Sequence, residues 1–297
     1  MPLDTERLVQ RNPHGDPALK RLGRGMRKAL GASAGTDMRD QVELATRLGA
    51  PVRSCRRIAV TSIRGGAGKS TLATLIARTI QQHREDRVLA IDADPGLGSL
   101  PLRLGVAPTH SLHDVAATRP RTWDEAAQHL SLTDTGVWVL SAPQGTGREL
   151  NLPTFHTAVG TLGRYFAASI IDCGPGLGSP LNRGILDSTH AQVFVVPATT
   201  DGAATAQATL DWLRTNGHEA LLTRTTIALV SRTPGTDLAT ARAALQTHGL
   251  PVIPIPYDRH LAAGTTISPD HLAESTHTAI TKLTLQTFTH TRSEGTP

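Results

Sequence analysis

Short apolar runs rich in β-favouring residues recur along the chain at residues 58–62, 88–91, 137–140, 169–171, 193–196, 227–230 and 252–255. Between them the apolar positions switch to helical spacing. Leu72, Ile76 and Ile80 share one face of a predicted helix that opens after residue 68. A second helical pattern over 201–215 stops at Asn216-Gly217, and a third over 237–248 stops at Gly249 with Pro251 beyond it; both are C-terminal stop signals. Thr122-Trp-Asp-Glu125 predicts a capping box in the long connection between the second and third strands. Continuous apolar strands alternating with helices predict a parallel sheet buried on both faces. The expected fold is α/β, doubly wound, with a mostly parallel sheet flanked by helices.

Charge changes this picture only at the start. Of 297 residues carrying a net +5, residues 1–57 hold twelve Lys/Arg against six Asp/Glu, while the remainder is close to neutral. Leu19, Leu22, Met26 and Leu30 fall near helical spacing with Lys20, Arg21, Arg24, Arg27 and Lys28 among them. Such a basic amphipathic helix suits an anionic membrane, DNA or an acidic partner. The other reading is a solvated extension, since Gly23 and Gly25 weaken a helix by about 1 kcal/mol each. Residues 38–48 predict a helix leading into the core. The expected division is a basic extension over 1–56 and a nucleotide-binding body over 57–297. No apolar run approaches the ~20 residues that span a bilayer, and the first ten residues lack the apolar stretch of a signal peptide. Cys55 and Cys173 make no disulfide framework. A cytoplasmic globular protein is expected.

The sharpest chemical signal is Ile63-Arg-Gly-Gly-Ala-Gly-Lys-Ser-Thr71, set between a strand and a helix. Gly65, Gly66, Ala67 and Gly68 let the backbone wrap a polyphosphate with its N–H groups turned inward, and the helix N-terminus adds partial positive charge. Lys69 is placed to reach the β- and γ-phosphates, Ser70 to bind Mg²⁺, and Thr71 to close the cradle. Ile63 stands where the common phosphate-loop pattern has its first glycine. A basic residue before two glycines, Arg64 here, matches the deviant form of that pattern instead.

With these residues the chain resembles the MinD/ParA family of deviant Walker ATPases, a Rossmann-like P-loop NTPase fold, from about Arg57 into the C-terminal helix. The resemblance implies ATP and Mg²⁺ as ligands and a slow ATPase that forms a homodimer around nucleotide. Arg64 takes the place of the family's signature lysine, which reaches the partner protomer's phosphates. Asp92-Ala-Asp94 resembles the family's acidic motif after the second strand; Asp94 would order the attacking water and Asp92 support the metal shell. Asp172-Cys-Gly-Pro-Gly176 resembles the Walker B strand with its switch loop, so Asp172 would hold a metal-bound water. Ser231 stands where relatives carry an adenine-reading Asn, and Pro256 and Asp258 fall in the family's late proline loop beside the base. The phosphate-loop run and the basic extension are also similar to actinobacterial MinD-like proteins associated with type VII secretion, which implies a secretion or envelope-associated partner and a peripheral place at the membrane. A DNA-partitioning ATPase and a low-turnover nucleotide-binding scaffold remain open beside that reading. The tail over 279–297 does not resemble the family's membrane-targeting helix.

Overall fold

We describe residues 46–94, 98–142 and 149–291 in a computed structural model of the chain. Their strands form one eight-stranded sheet in the order β3-β4-β2-β5-β1-β6-β7-β8. The strands are β1 (Arg56–Thr61), β2 (Val88–Ala93), β3 (Ser131–Leu132), β4 (Trp138–Leu140), β5 (Ala168–Cys173), β6 (Ala191–Pro197), β7 (Thr225–Val230) and β8 (Val252–Ile255). All neighbours pair in parallel except β3 with β4. The two-residue antiparallel β3 is too short and too polar to carry a periodic signal, and the sequence pattern misses it.

The helices are α1 (Lys69–Gln82), α2 (Leu100–Leu104), α3 (Leu112–Thr118), α4 (Trp123–Ala127), α5 (Leu152–Leu162), α6 (Pro180–Asp187), α7 (Thr200–Thr215), α8 (Glu219–Leu222), α9 (Leu238–Gln246), α10 (Arg259–Ala262) and α11 (Glu274–His290). Alternate strand residues divide between two faces, as the pleat requires. Ile58 and Val60 of β1 pack with Leu72, Ile76 and Ile80 of α1 and with Ile280, Leu283 and Phe288 of α11. Ala59 points the other way and packs with Leu89, Ile91 and Ile171 against α3, α5 and α6. Phe194, Val196, Ile227 and Leu229 meet α7 and α9 on that second side. Burial on both faces explains why these strands read as unbroken apolar runs. α11 spends its apolar face on this core. Among the described residues no helix is long and apolar enough to cross a membrane.

Several local expectations shift. The second and fifth strands continue through Asp92 and Asp172 rather than ending before them. Glu125 accepts the backbone N–H of Arg121 at 2.7 Å, so that contact forms one residue earlier than a capping box on Thr122 requires; Thr122 still accepts from the Glu125 N–H at 3.3 Å. Asp114, instead, accepts from both the N–H and the hydroxyl of Ser111, at 2.7 and 2.8 Å. α7 is capped by Thr199, two residues ahead of Asp201. Of the helix expected over 38–48, only residues 46–48 are described, and they are helical. Leu48 is fully buried in the same core as Ile58, and its carbonyl accepts from Arg84, which also bonds the Ala50 carbonyl at 2.9 Å. The core thus reaches upstream of residue 57. The basic stretch over 19–30 lies outside the described residues.

Candidate nucleotide-binding site

The sheet reverses its winding at β1, which has β5 on one side and β6 on the other; loops at such a switch point form the ligand crevice of doubly wound folds. The loop that leaves β1 passes Ser62, whose hydroxyl donates to the Arg64 carbonyl at 2.7 Å, and enters α1 at Lys69. Gly68, the residue that caps α1, has φ +106°, and Gly66 has φ +72°. A side chain at either would be strained, so the glycines here are dictated by backbone conformation. Ala67 and Lys69 are buried, while Arg64, Gly65 and Gly66 are exposed.

Two carboxylates lie beneath this loop. Asp92 and Asp172 are partners in the β2–β5 register, and both are buried. The Asp94 N–H donates to Asp92 Oδ1 at 3.1 Å, but among the described residues Asp92 Oδ2 and both oxygens of Asp172 have no hydrogen-bond partner. Burial pushes the Asp92 carboxyl up to about 7, with the Asp94 charge adding to it while the Asp94 N–H and Lys69 oppose it. Burial and then the Asp92 charge raise Asp172 well above the usual carboxylate range; the nearby Ser70 hydroxyl and Lys69 pull the other way. Burying such acceptors without partners is costly. Three buried, unsatisfied oxygens beside a serine hydroxyl are the donor set of a hard divalent cation, so Ser70, Asp92 and Asp172 fit Mg²⁺. The chain also comes close above them: a Cβ on Gly98 would lie 2.0 Å from Asp92 Oδ2.

The other half of the site is a cavity lined by Gly66, Ala67, Gly68 and Thr71 on one side and by Ser231, Pro256, Tyr257 and Asp258 on the other. The phosphate loop and the late proline loop, nearly two hundred residues apart in sequence, therefore meet. Two of the expected base contacts already have work within the fold. The Ser231 hydroxyl donates to the Thr233 carbonyl at 2.8 Å. The Asp258 carboxylate caps α10, accepting the N–H groups of His260 (2.8 Å) and Leu261 (3.3 Å), and ties in α11 through the Ala273 N–H and the Thr276 hydroxyl (both 2.9 Å). Asp258 is thus a buried organiser of the loop as well as part of the cavity wall.

Sequence reading missed Asn182. From α6 it donates to the carbonyls of Gly174 (3.1 Å) and Gly176, while the Gly176 N–H donates to the Ser62 carbonyl at 2.9 Å. The loop after β5 is therefore tied to α6 through Asn182 and to the start of the phosphate loop through Ser62. Only the Ser179-Pro180 helix start hinted that the next turn would face this loop. Asn182→Ala removes both bonds and leaves buried carbonyls behind, an expected loss of about 1–3 kcal/mol readable as a lower chemical-denaturation midpoint. Cys173, in the same strand end, is a buried thiol whose pKa burial drives up, and it takes no part in the site's polar contacts.

Residues 58–266 match the family described as the CobQ/CobB/MinD/ParA nucleotide binding domain. The chain belongs to this family. MinD/ParA members are nucleotide-binding ATPases. Among curated relatives, the chain is 34% identical over 244 residues to the ESX-1 secretion-associated protein EspI of Mycobacterium tuberculosis, an alignment that takes in 80% of this chain and 37% of that protein. The chain therefore spans little more than a third of that relative's length. Among solved structures, it is similar to a ParA family ATPase of Chlorobium tepidum (TM-score 0.65, 18% identity, 77% of this chain and 98% of that one). It is also similar to a chain of the MinC:MinD cell division protein complex of Aquifex aeolicus (TM-score 0.62, 18% identity, 82% and 98%). These likenesses show a MinD/ParA fold, with the glycine loop and acidic strand ends inside the matched family segment.

Proposed function

We propose that this chain is an ATP-driven switch that binds ATP with Mg²⁺, pairs face to face with a second copy around the nucleotide, and releases the pair by slow hydrolysis. The observation that carries this reading is the pair of buried carboxylates in register beneath a glycine loop, three of whose oxygens have no partner among the described residues. In it the backbone of Gly65–Thr71 cradles the phosphates, Lys69 neutralises their charge, and Ser70, Asp92 and Asp172 hold the metal. Bound there, Mg²⁺ supplies charge neutralisation on the terminal phosphates. Asp94, half-buried beside Asp92, orders the water for in-line attack, and Arg64 is donated to the partner's phosphates. The described homologue of Pyrococcus horikoshii OT3, MinD complexed with Mg-ADP, shares the fold at a TM-score of 0.56 and supports the choice of ligand. Similarity to a secretion-associated protein supports a partner in a secretion system, with the protein working in the cytoplasm at the membrane face. Residues 1–56 would be the basic extension through which anionic membrane or DNA is met, its end from Leu48 onward already joined to the core, and 57–297 the ATPase body.

A second reading, a nucleotide-binding scaffold with little turnover, is favoured by one feature: Arg64 is engaged by Asp201 of its own chain. Calorimetry and phosphate release decide. The switch predicts Mg²⁺-dependent uptake of ATP and ADP that Lys69→Ala lowers at least tenfold, and phosphate release that Asp94→Ala stops. Equal release rates for wild type and Asp94→Ala leave the scaffold; no uptake by the wild type removes both.

A further inference from the structure

We propose that Arg103 is a nucleotide-binding residue, whose guanidinium clamps the phosphate next to the ribose from outside the glycine loop. The inference rests on the nucleotide reading of the cavity and adds a residue that the phosphate-loop pattern does not contain.

Arg103 sits on the short helix α2, which follows the acidic strand end, and lines the same cavity as Gly66–Gly68, Thr71 and Tyr257. Its Nε and Nη1 are buried and have no hydrogen-bond partner among the described residues. No carboxylate described in the structure lies within ion-pair distance of it. Two buried guanidinium nitrogens in that condition, on a half-buried side chain, are costly unless an acceptor completes them. Everything else about the residue is held. Its N–H donates to the Ser99 carbonyl and its carbonyl accepts from the Ile267 N–H, both at 3.0 Å. The Thr266 hydroxyl donates to the neighbouring Leu102 carbonyl, also at 3.0 Å. Gly264 closes on the guanidinium, where an added Cβ would stand 3.7 Å from Nη2. The side chain is thus aimed by its surroundings while its donors are left over.

Position selects the group it takes. Arg103 shares the cavity with Thr71 and Leu72, one turn into α1, whereas Lys69, Ser70, Asp92 and Asp172, which serve the terminal phosphates, are not among its walls. Ser231, Pro256 and Tyr257 form the base end. A cation in this cavity meets the nucleotide between those ends, at the phosphate joined to ribose. Burial lowers the Arg103 pKa, and the Asp172 charge works against that shift.

Competition of ADP, AMP and adenosine against a fluorescent ADP, with Mg²⁺ and the full chain, tests this. Charge-assisted hydrogen bonds of this kind predict that Arg103→Gln weakens ADP and AMP about ten- to a hundredfold, leaves adenosine unchanged and leaves the melting temperature of the ligand-free protein near wild type. Arg103→Lys is expected to recover part of the loss. ADP bound by Arg103→Gln as by wild type overturns the proposal. So does an equal loss for adenosine, AMP and ADP, or a loss accompanied by a collapsed melting temperature that Arg103→Lys restores together with binding, because each marks a structural role. Failure of the wild type to bind ADP removes the nucleotide reading itself, and with it this contact.

Discussion

Asp172→Asn is expected to make the nucleotide-free protein more heat-stable and, in the same stroke, to remove its response to Mg²⁺. Asp172 is buried beside Asp92, its register partner on β2, and among the described residues neither of its oxygens has a hydrogen-bond partner. The native fold therefore carries a desolvated carboxylate facing a second one. Asparagine has nearly the same shape, lacks the charge, and can donate to Asp92. Relief of this repulsion raises the melting temperature by roughly 2–4 °C for each kcal/mol recovered in a domain of this size. The cost falls on function. With Mg²⁺ present the nucleotide affinity of the variant should fall about 100-fold, the upper end of what metal-site substitutions cost, while in EDTA variant and wild type should bind alike. Thermal melts with and without Mg-ADP read both effects. A variant that melts lower than wild type yet keeps its full Mg²⁺ response would show that these oxygens do not hold the metal.

The same pair sets the pH dependence. Both carboxyls have folded-state pKa values raised above their unfolded ones, Asp92 to about 7. The folded protein then binds more protons than the unfolded chain between about pH 4, the unfolded carboxylate value, and pH 7. Stability from this source is complete below that range and is lost as pH rises through it. The ligand-free melting temperature should fall between pH 5 and 8, Asp172→Asn should flatten the slope, and Mg-nucleotide should flatten it in the wild type, since metal binding displaces the proton.

How much of this was legible in the sequence follows from which signals are local. Each of the seven apolar runs falls on a strand, to within a residue at its ends, because burial on both faces leaves an unbroken pattern, and Gly66 and Gly68 were legible because their backbone angles admit little else. The pairing of Asp92 with Asp172 was not, since it depends on β5 inserting between β2 and β1, eighty residues after β2. Resemblance supplied their roles; register supplies the reason. Asn182 and Arg103 were invisible for a related reason. Each is a lone polar residue in an ordinary short helix, and its meaning comes from a loop that reaches it through space. The doubled duty of Asp258 shows the converse: a motif residue can line the expected cavity and still have its side chain engaged by the fold.

Arg64→Ala is expected to abolish ATP-dependent dimers while leaving ADP affinity within twofold of wild type. In the single chain, Arg64 donates to the Asp201 carboxylate and reaches the Thr205 hydroxyl at 3.4 Å, on the first turns of α7. Both side chains of the ion pair are more than half exposed. The Thr199 hydroxyl and then Arg64 hold the Asp201 carboxyl below its usual range, yet a solvent-screened pair of this kind adds little to stability. A partner's triphosphate, with more charge and less water around it, is the stronger acceptor, so the guanidinium can be exchanged from one to the other at small cost. Asp201 then acts as a resting place for Arg64, and Asp201→Ala should lower the ATP concentration at which dimers form. Arg64→Lys keeps the charge but loses the planar fork, and should dimerise weakly. An arginine supplied in trans to a γ-phosphate is worth on the order of 10³-fold or more in rate, so phosphate release by Arg64→Ala should drop to background. Light scattering and phosphate release, run on the same samples, separate the two jobs. Dimers lost with turnover intact would confine Arg64 to assembly, and dimers intact with turnover lost would confine it to chemistry. Both unchanged would mean that the guanidinium never leaves Asp201.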